Sequence, residues 1–192
     1  MIKRLFICIL VFVLAGSVYS QGLYFDIGFG LGSATTEIDG EDVGDSLGSG
    51  VDEVGVDLGL KVGYGPIAGM PLYIAGTLEG IGHRFDDGTN YIQFNSYLLG
   101  PSLIVYPIPL IQIAGSIGHS WVSNQSDLPI SFHDSESGFA GDLSVALDLG
   151  QKNHGFLLGL KYFTSTNTLE TSKAEQNSSM LSIFVKYAYR HK

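Results

Sequence analysis

The stretch Leu23 to Gly32 constrains this chain more than any other. Leu23, Phe25, Ile27, Phe29 and Leu31 alternate with Tyr24, Asp26, Gly28, Gly30 and Gly32. Successive side chains on a β-strand point to opposite faces, so this stretch has one wholly apolar face. Its other face is small or polar and carries one carboxylate. A strand of a soluble sandwich also alternates, with its apolar face turned into the core. What separates the two cases is how often the pattern recurs and what joins the copies.

The pattern recurs seven more times. Val54 to Tyr64 repeats it with Asp57 and Lys61 on the polar face, and Leu72 to His83 does so with Glu79, although Ile81 breaks the alternation. Tyr91 to Tyr106 and Ile111 to Trp121 follow. Phe139 to Leu149 carries Asp142 and Asp148, Phe156 to Tyr162 carries Lys161, and Leu181 to Tyr189 carries Lys186. Long polar connections follow the first, third, fifth and seventh segments: Gly32 to Asp52, His83 to Asn90, Val122 to Ser137 and Ser165 to Ser178. Compact turns at Gly65 to Pro71, Pro107 to Pro109 and Gly150 to Gly155 follow the others. An even strand count with long and short joins in alternation predicts an all-β fold: an eight-stranded antiparallel up-and-down transmembrane β-barrel. Its apolar face would meet lipid and its glycine-rich face the interior. Tyr64, Tyr106, Trp121, Tyr162, Tyr187 and Tyr189 would form the aromatic girdles.

Met1 to Ser20 is built differently. Lys3 and Arg4 precede the apolar run Leu5 to Ala15, which is short of the roughly 20 residues that a spanning helix needs. Gly16, Ser17 and Ser20 supply small residues for a signal peptidase, so residues 1–20 read as a signal peptide and 21–192 as the barrel domain. Cleavage is expected after Ser20, with Ser17 the alternative. Cys8, the only cysteine, lies in this leader, so the rest of the chain has neither disulfides nor a thiolate site. The net charge of −9 becomes −11 once Lys3 and Arg4 are removed, which argues against nucleic acid as a partner. Mean hydropathy is +0.23, yet no later segment has the length of a spanning helix. Only helices and closed barrels satisfy every backbone group in lipid, which again favours the barrel.

With these features the chain resembles the small eight-stranded outer-membrane proteins, the group of the OmpA transmembrane domain, OmpX and OmpW. The resemblance spans Gly22 to Tyr189 and is one of pattern and loop order. Its most specific element is Ile183-Phe184-Val185-Lys186-Tyr187-Ala188-Tyr189, which is similar to the C-terminal strand that the barrel-assembly machinery recognises. Here Arg190-His191-Lys192 follows the final aromatic, where many members of the group stop. The resemblance implies a monomer in the outer membrane of a diderm, Gram-negative-type envelope, in contact with outer-membrane lipid. A structural or surface-exposed envelope role is the first expectation. A narrow pore or carrier for small or hydrophobic molecules, and an adhesin holding a host or matrix ligand at its outer loops, are the alternatives.

Asp26, Asp57, Lys61, Glu79, Asp142, Asp148, Lys161 and Lys186 all project inward in this register. Charges in a dry interior need partners, so these eight are expected to form a network across the lumen. Leu157, Phe163, Phe184 and Ile81 point the same way and would help to plug it; eight strands leave little room beyond their own side chains. Five acids against three lysines would favour cations if a path existed. Asp39, Glu41, Asp42 and Asp45 in the first loop are a weak candidate for a divalent cation, since their spacing matches no EF-hand. No cofactor and no catalytic residue is expected. His119 and Ser120 are adjacent on a strand and cannot face one another, whereas lipid-modifying barrels that use His and Ser separate them by one residue. His133, Asp134 and Ser135 form a triple that loops of this composition produce by chance, and His83 reads as a solvated residue at the barrel mouth.

Overall fold

The computed structural model describes residues 22–48, 50–127, 135–150, 153–170 and 172–190. The predicted signal peptide lies outside these residues, as do His133 and Asp134. The elements in chain order are β1 (Leu23–Ile38), β2 (Glu41–Asp42), α1 (Val43–Leu47), β3 (Asp52–Tyr64), β4 (Leu72–Asp86), β5 (Tyr91–Ile108), β6 (Ile111–Val122), β7 (Gln125–Ser126), β8 (Ser135–Asp148), β9 (His154–Leu169) and β10 (Glu175–Arg190). Eight of the strands pair antiparallel in sequence order, and β10 pairs back to β1 from Tyr24↔Arg190 to Ile38↔Gln176. That last pairing closes the barrel and leaves no long free edge. The two-residue strands β2 and β7 are appendages, on β1 and β5 respectively.

Burial is inverted relative to a water-soluble protein. Leu58 is 64% exposed and Ile183 63%, while Lys61 and Lys161 are each 1% exposed. Large apolar side chains stand outward on all eight barrel strands, including Phe29, Ile74, Leu103, Ile117, Leu143 and Leu160. None of the described helices is long and apolar enough to cross a membrane.

The strands run further than the hydrophobic alternation predicts. β1 continues six residues past Gly32, β9 reaches Leu169, and β10 begins at Glu175. The expected long loops after the third and seventh strands therefore shrink to residues 87–90 and 170–174. The strict alternation of long and short joins does not hold, since the turn at residues 65–71 exceeds the loop at 87–90. The physical reason is that a strand which leaves lipid no longer needs an apolar outer face. Thr35, Glu37, Thr164, Thr166, Asn177 and Ser179 keep the ladder while presenting polar groups outward.

Candidate functional site

The inward face is layered. Nearest the tight turns lie Tyr24, Tyr73 and Tyr106 with Ile104, the rings of Tyr24 and Tyr73 5.2 Å apart and those of Tyr73 and Tyr106 5.8 Å apart. Gln112 ties this layer together by donating from Nε2 to both Tyr24 Oη and Tyr106 Oη at 2.8 Å. Tyr106 is thus a lumen residue and not part of a girdle. A register shift in the β5–β6 ladder between Val105 and Ile108 accompanies this inward position.

Above it sits the charged layer, and Glu79 is its hub. Lys61 and Lys186 approach Glu79 Oε1 at 2.9 and 3.0 Å, and Lys161 donates to Oε2 at 2.8 Å. Each lysine also reaches a second acid. Lys161 bonds Asp57 Oδ1 at 2.8 Å, Lys186 lies 3.5 Å from Asp26 Oδ1, and Lys61 lies 3.6 Å from Asp142 Oδ2. Lys61 further donates to Ser116 Oγ at 2.8 Å, and Tyr24 Oη donates to Asp26 Oδ2 at 2.6 Å. All seven charged groups are buried. They come from β1, β3, β4, β8, β9 and β10, so the layer ties opposite walls together.

Asp148, the eighth residue, lies apart from the hub. It pairs with Arg190, whose guanidinium also lies 4.7 Å from the Tyr106 ring centre. In the sequence Arg190 trails the last aromatic, Tyr189. Its parity with Lys186 and Ala188 places it inside, which was the available signal. It lowers the imbalance of the buried interior to five carboxylates against four cations.

Glycines make room for the hub. A Cβ on Gly59 would collide with the Glu79 carboxylate, one on Gly30 with that of Asp57, and one on Gly28 with the backbone of Val185 and Lys186. Beyond the charges lies an apolar layer of Ile81, Leu98, Phe163 and Met180. Leu157 and Phe184 pack with Ala146 and Ala188 on the turn side. Ile81 breaks the outward alternation because it belongs to this inner layer.

At the loop end His83 is not solvated; it is 2% exposed. Its Nδ1 lies 2.9 Å from Thr36 Oγ1 and its Nε2 2.9 Å from Glu53 Oε1, because the extended β1 and β3 cover it. A cavity of about 390 Å³ opens beside it under β2 and α1. The four acids of the first loop do not converge there on one point. Asp39 Oδ1 accepts from Glu175 N and Asp42 Oδ1 from Gly44 N. Among the described residues no group of three or more His, Cys, Asp or Glu is placed to hold a metal ion. His119 stands outward and Ser120 is buried inward, and Ser135 Oγ accepts from Val122 N.

These features define an eight-stranded antiparallel barrel with an apolar exterior and a filled, charged interior. No protein-family model matches the chain, and the search of curated proteins returned no match. Among solved structures it is similar to Ail, the attachment invasion locus protein of Yersinia pestis, crystallised in complex with the heparin analogue sucrose octasulfate. That match has a TM-score of 0.52 at 12% identity and covers 88% of this chain and 99% of the other. Neisserial surface protein A gives 0.49 at 17% identity, covering 85% and 95%, and OprG of Pseudomonas aeruginosa gives 0.46 at 15%, covering 88% and 96%. The first of these assigns the fold: an eight-stranded barrel of the kind that crosses outer membranes.

Proposed function

We propose that this chain is a bacterial outer-membrane barrel whose lumen is sealed, and that it serves as a structural, surface-exposed envelope protein acting at its outer end. The outer-membrane placement is supported by the belt of exposed apolar side chains on every barrel strand, far larger than the patches of a few hundred Å² usual on a soluble monomer. The sealed lumen is supported by one observation above the rest: three lysines converge on the single carboxylate of Glu79 between two apolar layers. A solute would have to break buried ion pairs to pass, and removing one partner of such a pair costs about 3–5 kcal/mol. His119 and Ser120 face opposite ways, so they cannot act together as a nucleophile and base.

The outer end also bears on the kind of contact it makes. From Glu37 to Glu53 the chain carries Glu37, Asp39, Glu41, Asp42, Asp45, Asp52 and Glu53 and neither lysine nor arginine. A polysulfated ligand such as the one bound to Ail would be repelled by this field. The test is single-channel recording of the refolded chain lacking residues 1–20, beside Asp57→Asn and Glu79→Gln. Silent bilayers containing folded wild-type barrel are expected. Discrete cation-selective openings of the wild type, altered by either substitution, would replace this reading with a narrow pore.

A further inference from the structure

We propose that the outer half of the barrel is a two-leaved cleft that takes up a small uncharged polyhydroxyl molecule, a sugar or polyol, on Ser96, Ser120, Ser165 and Asn167. This rests on the sealed lumen and outward loop end proposed above, and names what that end receives. Above the apolar layer the wall is no longer continuous. The β1–β3 ladder stops at Gly32↔Gly55, although β1 runs on to Ile38 and β3 begins at Asp52. On the opposite side the β6–β8 ladder stops at Ser120↔Gly138, although β6 reaches Val122 and β8 begins at Ser135. Two leaves therefore rise from the closed barrel, one of β8, β9, β10 and β1 and the other of β3, β4, β5 and β6. Hydrogen bonds of single side chains cross between them. Thr36 Oγ1 lies 2.9 Å from His83 Nδ1, Asn124 Nδ2 donates to Gln176 Oε1 at 2.7 Å, and Val122 N donates to Ser135 Oγ at 2.8 Å. Exchanging a few such bonds for water costs little, so the leaves can part without unzipping a ladder.

Ser96 on β5, Ser120 on β6, and Ser165 and Asn167 on β9 face inward between the leaves, each at most 3% exposed. The three hydroxyls and both polar atoms of the Asn167 amide have no hydrogen-bond partner among the described residues. Buried polar groups are paired in the great majority of cases, as Gln112 is with two tyrosines at the turn end. The Asn167 side chain lies over Gly138, where a Cβ would collide with its Oδ1, and Gly138 is the rung between Asn167 and Ser120. The free groups thus stand on both leaves. An amide both donates and accepts, and so does each hydroxyl. Ser96, Ser120, Ser165, Asn167, Gln176 and Ser178 carry no charge, so an ion would enter this level without a counter-charge. A hydrocarbon would leave the polar groups unpaired. Several hydroxyls on one frame pair with both leaves at once and join them, which separate waters do not. The layer of Ile81, Leu98, Phe163 and Met180 forms the floor.

The experiment follows the Asn167 side-chain amide by NMR in the isotope-labelled barrel lacking residues 1–20, refolded in dodecylphosphocholine micelles. The probes are glucose, sorbitol and octyl glucoside, with glucuronate and glucosamine as charged counterparts. At least one neutral probe is expected to shift the Asn167 signal saturably, and the charged counterparts to bind at least about tenfold more weakly. A response to the free sugar or polyol assigns the cleft to a soluble ligand, and a response to octyl glucoside alone assigns it to a lipid-borne sugar. Asn167→Leu and, separately, Ser120→Ala/Ser165→Ala should lose at least about tenfold in affinity, and Asn177→Leu on the outer face of β10 should not. Because its polar atoms are unpartnered, Asn167→Leu should also raise the urea midpoint of the empty barrel. No saturable shift with any neutral probe, equal shifts with the charged ones, or unchanged affinity in both cleft variants overturns the inference and leaves the groups to water alone. A conducting wild-type barrel would overturn the sealed lumen while leaving this titration readable.

Discussion

Glu79 is the residue on which the interior turns. Its two oxygens receive Lys61, Lys161 and Lys186, while each other acid of the hub meets one lysine. Glu79→Gln leaves three ammonium groups around a neutral amide in a dry layer. It is expected to cost about 3–5 kcal/mol in urea unfolding of the refolded barrel. Asp26→Asn should cost less, because Lys186 keeps Glu79 and Tyr24 Oη keeps an acceptor. Equal losses in the two variants would show that the hub has no centre. Gly59→Ala should approach the Glu79→Gln cost, since its methyl would displace a carboxylate that three lysines hold in place. A flexible acid would swing aside; this one is fixed. Parity in the sequence puts Asp57, Lys61, Glu79, Lys161 and Lys186 on one face, but it does not show which carboxylate the lysines share, because sequence separations of 82 and 107 residues join them only through barrel closure. The burial of His83 is not legible in the sequence either. What buries it is the polar extension of β1 and β3, which carries no hydrophobic signature.

At the scale of the element, a strand is legible in sequence while one of its faces meets lipid. Leu23 to Leu31 and Leu181 to Tyr189 announce themselves by alternation, whereas Ser33 to Ile38 and Glu175 to Met180 are strand without an apolar outer face. β9 tests where the change of environment falls. Leu160→Arg, in the apolar belt, is expected to destabilise the barrel by about 2–4 kcal/mol in lipid vesicles, whereas Thr166→Arg on the same face should cost about 0–1 kcal/mol. Equal costs would mean that lipid covers the whole strand. The turn between β4 and β5 supplies a pH test. The hydrogen bonds from Arg84 and then from Gly88 N hold the Asp86 carboxyl below its ordinary range, and those from Asn90 N and Thr89 N do the same for Asp87. A lowered folded-state value means that the turn's stabilisation is present above the unfolded-chain value, about pH 3.9, and is lost as pH falls through the lowered values. Amide exchange at Gly88, Thr89 and Asn90, corrected for the intrinsic rate, should therefore accelerate below that pH. Unchanged protection down to pH 2 would refute the role given to these carboxylates.

Over the whole molecule, charge is sorted along the barrel axis. The first loop-end hairpin carries seven carboxylates from Glu37 to Glu53, while the turn end closes on tyrosines and the Arg190–Asp148 pair. Hairpins that extend beyond the apolar belt stand at the loop end; the other end has compact turns such as that at residues 65–71. Short periplasmic turns and longer outer loops are the usual arrangement of such barrels. It follows that an epitope inserted between Asp87 and Gly88 should be labelled by antibody on intact cells. The same epitope between Ala68 and Gly69 should be labelled only after the outer membrane is permeabilised. Both sites lie in turns, where an insertion disturbs the ladder least. The opposite pattern would turn the acidic hairpin from Glu37 to Glu53 toward the periplasm.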